Sequence, residues 1–544
     1  LIFIVILGYS FLLKKITFNK NKININNIDF LYGLFLLLFI SLIFNFFIPL
    51  GIVTLPIIFI GLLVFLYAFS KKIYNLNFFG LFLIIFVITF IAFYSNMNID
   101  SPMYHLQIIK WLTYNKISFG LSNLEIRLGF NSSWHSFIAL MDIKISKFSL
   151  KYYLSSLVLA SLIYETIRRK KKINYSDIFL YLTILYLIFF SFLHPNINGV
   201  ILNHLGNPER DIIGMLFFFL VIFFFIKCLE NQDNINYITL LTLSLFLCIT
   251  SRLTMFPMII LLIFVLYKNK NYKLFNFTYF LISITTFFWV LRSFILSGCL
   301  FFPFSKTCFN TDWAVDVKEV EFFVDEAMRI SRTLPSRNGV NDLDFSLNSY
   351  NWVPQWINDY FFTTALLQIG SLILLITVIC LIFISVYKKG HIKVNFIKSD
   401  IAVILCLIFI IFLWFLSAPE IRYALGPLIS LPCFVIIVFL KNIDFLRFIR
   451  DKDLRFSYIL GILSFLLLTK SFDQFKMKDF LVISNKNHNY THILKLGTFS
   501  EKDFFWGNFL CSDFKYICVN TIKENYKVEK IFNYDVYKAD TWLK

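Results

Sequence analysis

The stretch "FFGLFLIIFVITFIAFY" (78–94) has no charged residue, and it is followed by "NIDSPMYHLQIIKWL" (98–112), which carries an aspartate, a histidine and a lysine. Similar apolar blocks of roughly 15–25 residues recur along the chain, and about 20 apolar residues in a helix span a bilayer core. The 544 residues are 58% hydrophobic and 15% charged, with a mean hydropathy of +0.73. A soluble protein of this length could not bury so much apolar surface. The sequence therefore predicts an all-α polytopic membrane protein.

The apolar blocks predict about fourteen transmembrane helices, which form a bundle over residues 1–469. We place them at 1–13, 29–49, 51–69, 76–94, 149–167, 177–194, 211–228, 237–250, 253–267, 275–296, 361–387, 400–416, 423–440 and 456–469. The pair 237–250 and 253–267 is short and is separated by "TSRLT", which favours a helical hairpin. The tail, 470–544, shows β-like alternation in "YICVNTI" and "NYDVYKA" and is predicted to be a small extracytoplasmic domain.

Lysine and arginine orient the predicted bundle, because short cytoplasmic loops are enriched in both residues. Six basic loops fall on one side of the predicted spans: "KKITFNKNK" (14–22), "KK" (71–72), "RRKKK" (168–172), "KNKNYK" (268–273), "KKGHIK" (388–393) and the stretch 441–455. That side is expected to be the cytoplasm, so the large loops 95–148 and 297–360 and the tail are expected outside. The net charge of +18 is scattered over these short loops, which argues against a nucleic-acid partner.

The nine cysteines divide by environment. Two closely spaced pairs, Cys299 with Cys308 and Cys511 with Cys518, lie in polar segments on the predicted outer side. Disulfides form in oxidising compartments outside the cytoplasm, so both pairs are predicted to be bridged. The other five cysteines lie in or beside predicted spans, where a cysteine behaves as a small hydrophobic residue.

The segment 98–112 is predicted to form a short amphipathic helix on the outer surface of the membrane. Pro102 suits the first helical turn, and Asp100 or Ser101 suits the N-cap before it. A capping role and a catalytic role are compatible for Asp100, because a carboxylate fixed at a helix start has a defined direction.

Five arginines lie at or near the ends of different predicted spans, on the side that the positive-inside rule leaves poor in basic residues. They are Arg127, Arg210, Arg252, Arg292 and Arg422. A single one of them could extend to lipid phosphates. Several together favour a site for a phosphate-bearing ligand, since guanidinium groups bind phosphate oxygens bidentately. A ligand with a phosphate and an apolar body at this depth would be a lipid-linked substrate.

The place of "DSPMYH" (100–105), just after a span and at the start of a large outer loop, resembles the acidic motif of polytopic GT-C glycosyltransferases. Enzymes of that superfamily take a sugar from a polyprenyl phosphate or pyrophosphate carrier on the outer face of the membrane, and the resemblance implies the same donor class here. Many of them carry two adjacent acidic residues, whereas Asp100 is followed by Ser101. The resemblance therefore leaves a divalent metal open and implies no other cofactor.

A larger set of motifs, covering most of the chain, resembles a bacterial family of uncharacterised integral membrane proteins. The set comprises "DSPMYHLQIIKW", "GLSNLEIRLGFNSSWHSFIAL", "NPERD", "SGCLFFP", "SAPEIRYALG" and a tail with two neighbouring cysteines. This resemblance implies a multi-pass protein of the bacterial inner (cytoplasmic) membrane. Its active site would face the periplasm or exterior, and the protein would contribute to the synthesis of a cell-envelope polysaccharide.

Together these features favour an inverting glycosyltransferase that moves a sugar from a polyprenyl-phosphate-linked donor to an acceptor. Asp100 is the predicted general base. Tyr104, His105 and Lys110 are predicted to contact the sugar or the leaving phosphate, although His105 also suits a simple interfacial position. Two other classes stay open: an O-antigen-type polymerase or ligase would not need the carboxylate, and a transporter or flippase of lipid-linked sugars would carry charges at the bilayer midplane.

Overall fold

The structure is a computed structural model, and it describes residues 1–18, 23–93, 100–145, 148–168, 173–193, 205–231, 234–268, 276–333, 347–358, 398–442, 493–499, 502–507, 517–519, 526–531 and 534–539. Within these ranges the chain is mostly helical, as predicted. The helices are α1 (Ile2–Phe18), α2 (Phe30–Phe47), α3 (Leu50–Ser70), α4 (Phe78–Phe93), α5 (Leu106–Tyr114), α6 (Ser133–Met141), α7 (Leu154–Ile167), α8 (Tyr175–Leu193), α9 (Arg210–Glu230), α10 (Ile235–Ser251), α11 (Ile259–Lys268), α12 (Phe277–Ser297), α13 (Val317–Thr333), α14 (Trp352–Trp356), α15 (Lys398–Ser417) and α16 (Leu425–Asn442).

Short strands occur in the loop between α6 and α7 and in the tail. They are β1 (Lys144–Ile145), β2 (Phe148–Ser149), β3 (Ile493–Phe499), β4 (Lys502–Gly507), β5 (Ile517–Val519), β6 (Tyr526–Ile531) and β7 (Tyr534–Ala539). In the tail, β3 pairs antiparallel with β4, β4 pairs parallel with β5, and β6 and β7 form an antiparallel hairpin. The alternation read from the sequence thus corresponds to strands.

Helices occupy twelve of the predicted spans, and the other two, 361–387 and 456–469, lie outside the described residues. Five helices of the described chain are long and apolar enough to cross a membrane: Asn27–Phe47, Leu50–Ser70, Arg210–Glu230, Phe277–Ser297 and Ser399–Ser417. The break expected at "TSRLT" is present, because α10 ends there and a 3₁₀ turn leads into α11. Length and composition therefore suit a membrane protein with at least these five crossings.

The helix α9 lies at the centre of the bundle. It is buried over nearly its whole length and packs against α8, α10 and α16. A helix that is apolar all round belongs in a core or a membrane span. Only about a third of α3 and of α15 is buried, and Leu55, Phe59 and Phe412 are exposed on their outer faces. These faces form an apolar perimeter suited to lipid tails.

The first three helices pack backbone to backbone at glycines. A β-carbon on Gly8 would collide with the backbone of Gly61, and one on Gly33 would collide with the Ile6 carbonyl. The Ser10 hydroxyl also accepts a hydrogen bond from the Gly33 amide at 3.1 Å. In lipid the hydrophobic effect contributes little between helices, so close contact at small residues drives their association.

One end of the bundle, named here the basic end, carries three lysine–aspartate ion pairs. They are Lys14–Asp29 at 2.7 Å, Lys227–Asp177 at 3.1 Å and Lys441–Asp400 at 3.0 Å. Each pair joins two helices that are consecutive in the described chain. The loop after α3, with Lys71, lies at the same end, because the Ile25 amide donates to the Ile73 carbonyl there. The two helices of each of these three pairs therefore run in opposite directions.

At the opposite end, named here the site end, the loop 100–145 packs on the ends of several helices. Asn45 at the end of α2 donates to the Asn115 carbonyl at 3.0 Å. Ser122 donates to the Leu296 carbonyl of α12 at 3.0 Å. These contacts hold the loop as a compact layer over the bundle.

The hairpin β6–β7 touches this layer through the first residues of β7. The Tyr534 hydroxyl donates to the Phe46 carbonyl at 3.1 Å, and the Phe119 amide donates to the Asp535 carbonyl at 3.0 Å. Lys116 Nζ lies 3.9 Å from the centre of the Tyr534 ring. This part of the tail therefore packs at the site end, on the same layer as the loop 100–145.

A disulfide joins Cys299 and Cys308, as predicted, and closes the hairpin that follows α12. Cys299 packs with Phe302 and Val320 in a small apolar cluster that supports α13. The second predicted pair stays a prediction, because Cys511 lies outside the described residues. Four further cysteines are free and buried, which fits their interpretation as small hydrophobic residues: Cys228, Cys248, Cys406 and Cys433.

We expect the site end to face the outside of the cell. Lys318 on α13 and Lys71 after α3 are both exposed and lie at opposite ends. In intact cells, Lys318→Cys should react with a membrane-impermeant maleimide, whereas Lys71→Cys should react only after permeabilisation. The unsubstituted chain measures the background from native cysteines. The reverse labelling pattern would invert the orientation.

Candidate active site

Asp100 precedes a π-helical turn, Ser101–His105, which leads directly into α5. The predicted capping role of Asp100 is wrong, because its side chain makes no capping hydrogen bond. Its carboxylate turns instead to Arg422, in the loop between α15 and α16, with 2.5 Å between Oδ2 and Nη1. An ion pair between distant segments therefore sets the direction of this carboxylate.

The turn itself is attached to the segment before α9. The Ser101 hydroxyl lies within hydrogen-bond distance of the Glu209 carboxylate, at 3.2 Å, and of the Asn207 amide oxygen, at 3.3 Å. All three residues are buried. The start of α9, with Arg210, is thereby brought beside Asp100.

The helix α5 is not a surface helix, contrary to the prediction. Ile108, Trp111 and Leu112 are buried, and the helix packs on α3 and α6. A helical period in the sequence identifies an apolar face, but lipid and protein can both cover such a face. Here protein covers it, so the π-helical turn points into a protein interior.

His105, the last residue of the π-helical turn, forms a buried pair with His135. Nδ1 of His105 lies 3.0 Å from Nε2 of His135, so one imidazole donates a hydrogen bond to the other. Tyr104 packs on His105 with 4.1 Å between ring centres. His135 belongs to α6, which is fixed to α10 by a 2.7 Å hydrogen bond between the hydroxyls of Ser133 and Thr250.

Arg422 connects several groups of the site. Besides Asp100, its Nε lies 2.5 Å from Oε1 of Glu420, and its Nη2 donates to the Tyr423 hydroxyl at 3.2 Å. The short 3₁₀ turn that carries it is held by Trp414, whose indole donates to the Glu420 carbonyl at 2.8 Å. The charge of Arg422 is thus offset by two carboxylates.

Arg252, between α10 and α11, is also paired. Its Nη1 donates to Oδ1 of Asp211 at 2.9 Å, and its guanidinium lies 4.6 Å from the centre of the Tyr423 ring. Asp211 lies in the first turn of α9, where the helix dipole favours an anion. The guanidinium group of Arg422 is also near this ring, at 5.0 Å from its centre, so Tyr423 contacts both arginines.

Arg210 and Arg292 differ from the other site arginines. Within the described residues, neither has a carboxylate within 4 Å. The Arg210 guanidinium lies 4.0 Å from the centre of the Phe130 ring. Arg292 is only 4% exposed, donates one 3.4 Å hydrogen bond to Ser136, and has no partner at Nε in the described chain. A guanidinium removed from solvent without an anion is costly, and Arg292 is buried while Arg210 is half-buried, so these two are candidate anion ligands.

Arg127 lies at the edge of this group, and Lys110 lies on α5. The Arg127 guanidinium is 5.8 Å from the Tyr104 ring centre, and its Nε is 3.7 Å from Glu125. Lys110 is partly exposed, and its predicted contact with substrate stays a prediction.

Electrostatic interactions reach across the histidine pair. Burial, followed by His135 and Arg210, holds the pKa of His105 well below its usual range. Burial, followed by Arg210 and Arg292, lowers the pKa of His135 to about 3. Both imidazoles are therefore neutral near pH 7. His135 experiences the guanidinium groups of Arg210 and Arg292, whereas His105 experiences those of Arg210 and Arg422.

Two acidic groups of the site, Tyr104 and Glu420, have raised pKa values. Burial, followed by the nearby Asp100 carboxylate, raises the pKa of Tyr104 well above its usual range. Burial raises the pKa of Glu420, and the Arg422 guanidinium opposes that rise. Asp211 contributes to both shifts, so the groups from the loop after α4, from α9 and from the loop before α16 share one site.

The structure thus brings together Asp100, Tyr104, His105 and four of the predicted arginines. Sequence reasoning did not assign roles to His135, Asp211, Glu420 and Tyr423. Two of the arginines share a local sequence pattern, because each closely follows a Pro-Glu pair, in "PER" (208–210) and "PEIR" (419–422). Glu420 pairs with Arg422 within "PEIR", but the pairs Asp100–Arg422 and Asp211–Arg252 depend on tertiary contacts and could not be read from these motifs.

A divalent metal does not fit the described residues. No group of three or more histidine, cysteine or acidic side chains in the described ranges could hold a metal ion. Asp100 and Glu420 contact the Arg422 guanidinium instead. We therefore derive no step through a metal.

Comparison with known proteins gives one family. Neither the curated proteins nor the solved structures contain a match to the chain. A family model described as "Domain of unknown function (DUF8201)" matches residues 1–429. This range includes every candidate site residue named above and more than half of the 544 residues. The chain therefore belongs to the family described as Domain of unknown function (DUF8201).

Proposed function

We propose that this protein is a membrane glycosyltransferase of the GT-C type, which moves a sugar from a polyprenyl-phosphate-linked donor to an acceptor. The reaction would take place at the outer face of a bacterial cytoplasmic membrane. One observation carries the proposal: a carboxylate held by an ion pair and two guanidinium groups without carboxylate partners meet at one end of an apolar helical bundle. Such a site combines a proton acceptor with an anion-binding group next to lipid.

The guanidinium groups of Arg210 and Arg292 suit the phosphate of the donor. A lipid phosphate that reaches the site end would supply the negative charge that these two groups lack among the described residues. Arg252 and Arg422 already have carboxylate partners, so they are better suited to hold Asp211, Asp100 and Glu420 in place. This division of roles supports a site for one phosphate-bearing ligand.

The carboxylate of Asp100 suits activation of the acceptor. In the proposed step, the acceptor hydroxyl oxygen attacks the anomeric carbon and forms the new glycosidic bond. The bond from that carbon to the phosphate oxygen breaks, the lipid phosphate leaves with the electron pair, and Asp100 takes the hydroxyl proton. Direct displacement inverts the anomeric centre, and general-base help is typically worth about 10²–10⁴ in rate.

A transporter is less well supported, because transporters place ionisable residues near the bilayer midplane. Among the described helices, the ion pairs of α1, α8, α9, α15 and α16 lie at helix ends. Arg292 lies near the site end of α12. A polymerase or ligase of the O-antigen type would also use such arginines, and it differs in not depending on Asp100.

Two measurements test the function. Cells that lack the gene should lose one sugar component from a surface polysaccharide or glycolipid, and the wild-type gene should restore it. The purified protein in nanodiscs should consume sugar from an extract of prenyl-phosphate-linked sugars when acceptor glycans are present. Unchanged surface glycans together with no consumption of any lipid-linked sugar would reject the proposal.

A further inference from the structure

His135 of the histidine pair experiences both guanidinium groups that have no carboxylate partner among the described residues, Arg210 and Arg292. His135 is on α6, next to Ser136, and Ser136 accepts the hydrogen bond from Arg292. Both rings are almost fully buried, at 2% and 0% exposure for His105 and His135. A buried imidazole pair in this position has no solvent to buffer its charge, so its protonation depends on the neighbouring ions.

We propose that phosphate binding between Arg210 and Arg292 is coupled to the uptake of one proton by the His105–His135 pair. The inference rests on the phosphate site proposed above and adds that binding and protonation are linked. The hydrogen bond between the rings lets them share the added proton. The protonated pair then becomes an additional donor and positive charge for the bound phosphate.

The charged groups around the pair determine the direction of the linkage. From α9, Arg210 and Asp211 face His135, and from α12, Arg292 faces it. The Pro208 carbonyl before α9 also interacts with His135 and favours its protonation. The groups that face His105 are His135 on α6, Arg210 on α9 and Arg422 before α16. Burial keeps the free pair neutral, and the cations, which outnumber Asp211, act in the same direction.

A phosphate bound by the two guanidinium groups would reverse this balance. A unit negative charge about 6 Å from an imidazole raises its pKa by roughly two units at an effective dielectric constant near 20. The sign follows from linkage: the proton affinity of the pair is higher in the complex than in the free protein. Binding therefore takes up protons below neutral pH, and the phosphate is bound more tightly as the pH falls.

Isothermal titration calorimetry tests the coupling on the full chain in phosphatidylcholine nanodiscs. The probe is methyl farnesyl phosphate, a phosphodiester whose single charge does not change between pH 5 and pH 7.5. Titrations at each pH in two buffers of different ionisation enthalpy give the number of protons taken up. We expect uptake at pH 5 but not at pH 7.5, with affinity about twofold or more tighter at pH 5.

Variants assign the uptake to the histidine pair. His135→Gln and His105→Gln retain hydrogen-bonding groups but remove an imidazole, and each should lower or abolish the uptake. Asp316→Asn is the control, because it removes an exposed carboxylate outside the site and should leave the uptake in place. Uptake that persists undiminished in both histidine variants would overturn the inference.

Two other outcomes separate this inference from the proposed function. Binding of the probe with no proton uptake at either pH would overturn the coupling and leave the phosphate site standing. No binding by the wild-type protein under any condition would overturn both. The wild-type titrations decide between these outcomes even if one histidine variant fails to fold.

Discussion

Asp100→Asn should lower the rate of sugar transfer by about 10²–10⁴, with normal insertion and stability. Asparagine has nearly the same shape, and its amide oxygen can still accept a hydrogen bond from Arg422. It cannot take the proton of the acceptor hydroxyl. The measurement is the initial rate of transfer from a prenyl-phosphate-linked sugar, with thermal stability recorded for the same preparation.

Asp316→Asn is the matched control for this variant. The Asp316 carboxylate is exposed and accepts a 2.9 Å hydrogen bond from the Lys318 amide at the start of α13, so it has the capping role that Asp100 lacks. Its replacement should cost at most about 1 kcal/mol of stability and leave transfer unchanged. If Asp100→Asn transfers sugar at the wild-type rate, the carboxylate is only a structural partner of Arg422, and a polymerase or ligase is favoured.

Arg210→Lys and Arg292→Lys should each reduce kcat/KM for the lipid-linked donor by about 10–100-fold, equivalent to about 1.4–2.7 kcal/mol. A lysine cannot reproduce the two parallel hydrogen bonds of a guanidinium group with phosphate. A lysine at the buried position 292 also loses its proton more readily than an arginine. Rates measured at donor concentrations well below KM report this loss directly.

The other arginines provide graded comparisons. Arg252→Lys should have a smaller effect, because a lysine can still pair with Asp211. Arg168→Lys, at the basic end after α7, should transfer sugar at the wild-type rate. If Arg210→Lys and Arg292→Lys are as active as Arg168→Lys, these two residues do not bind the donor phosphate.

The arrangement of helices could largely be predicted from the sequence, because apolar blocks and basic loops are local signals. The prediction failed at α5, where the period of Ile108, Trp111 and Leu112 correctly indicated a helix with an apolar face. Such a period reports that the face is covered but not by what. Only the packing of α5 on α3 and α6 shows that protein covers it.

The site could be predicted in part. Polar residues placed beside apolar spans identified Asp100 and the arginines, since their position is unusual in a membrane protein. The partners of these residues could not be predicted from the sequence. Asp100 and Arg422 are 322 residues apart in the chain, and no local pattern predicts their ion pair. The same limit applies to Arg210 and Arg292, because an arginine without a carboxylate partner is recognised only after every neighbour is known.

The contacts of Gly8, Gly33 and Gly61 have a consequence for how the protein is built. These helices leave the ribosome before the site-bearing segments, and their mutual fit needs only small residues and matching backbones. Three helices packed in this way can assemble first in the bilayer, and α5 and α6 can then pack on α2 and α3. The geometry of the layer at the site end would then depend on three positions that carry no side chain, at the other side of the helices that support it.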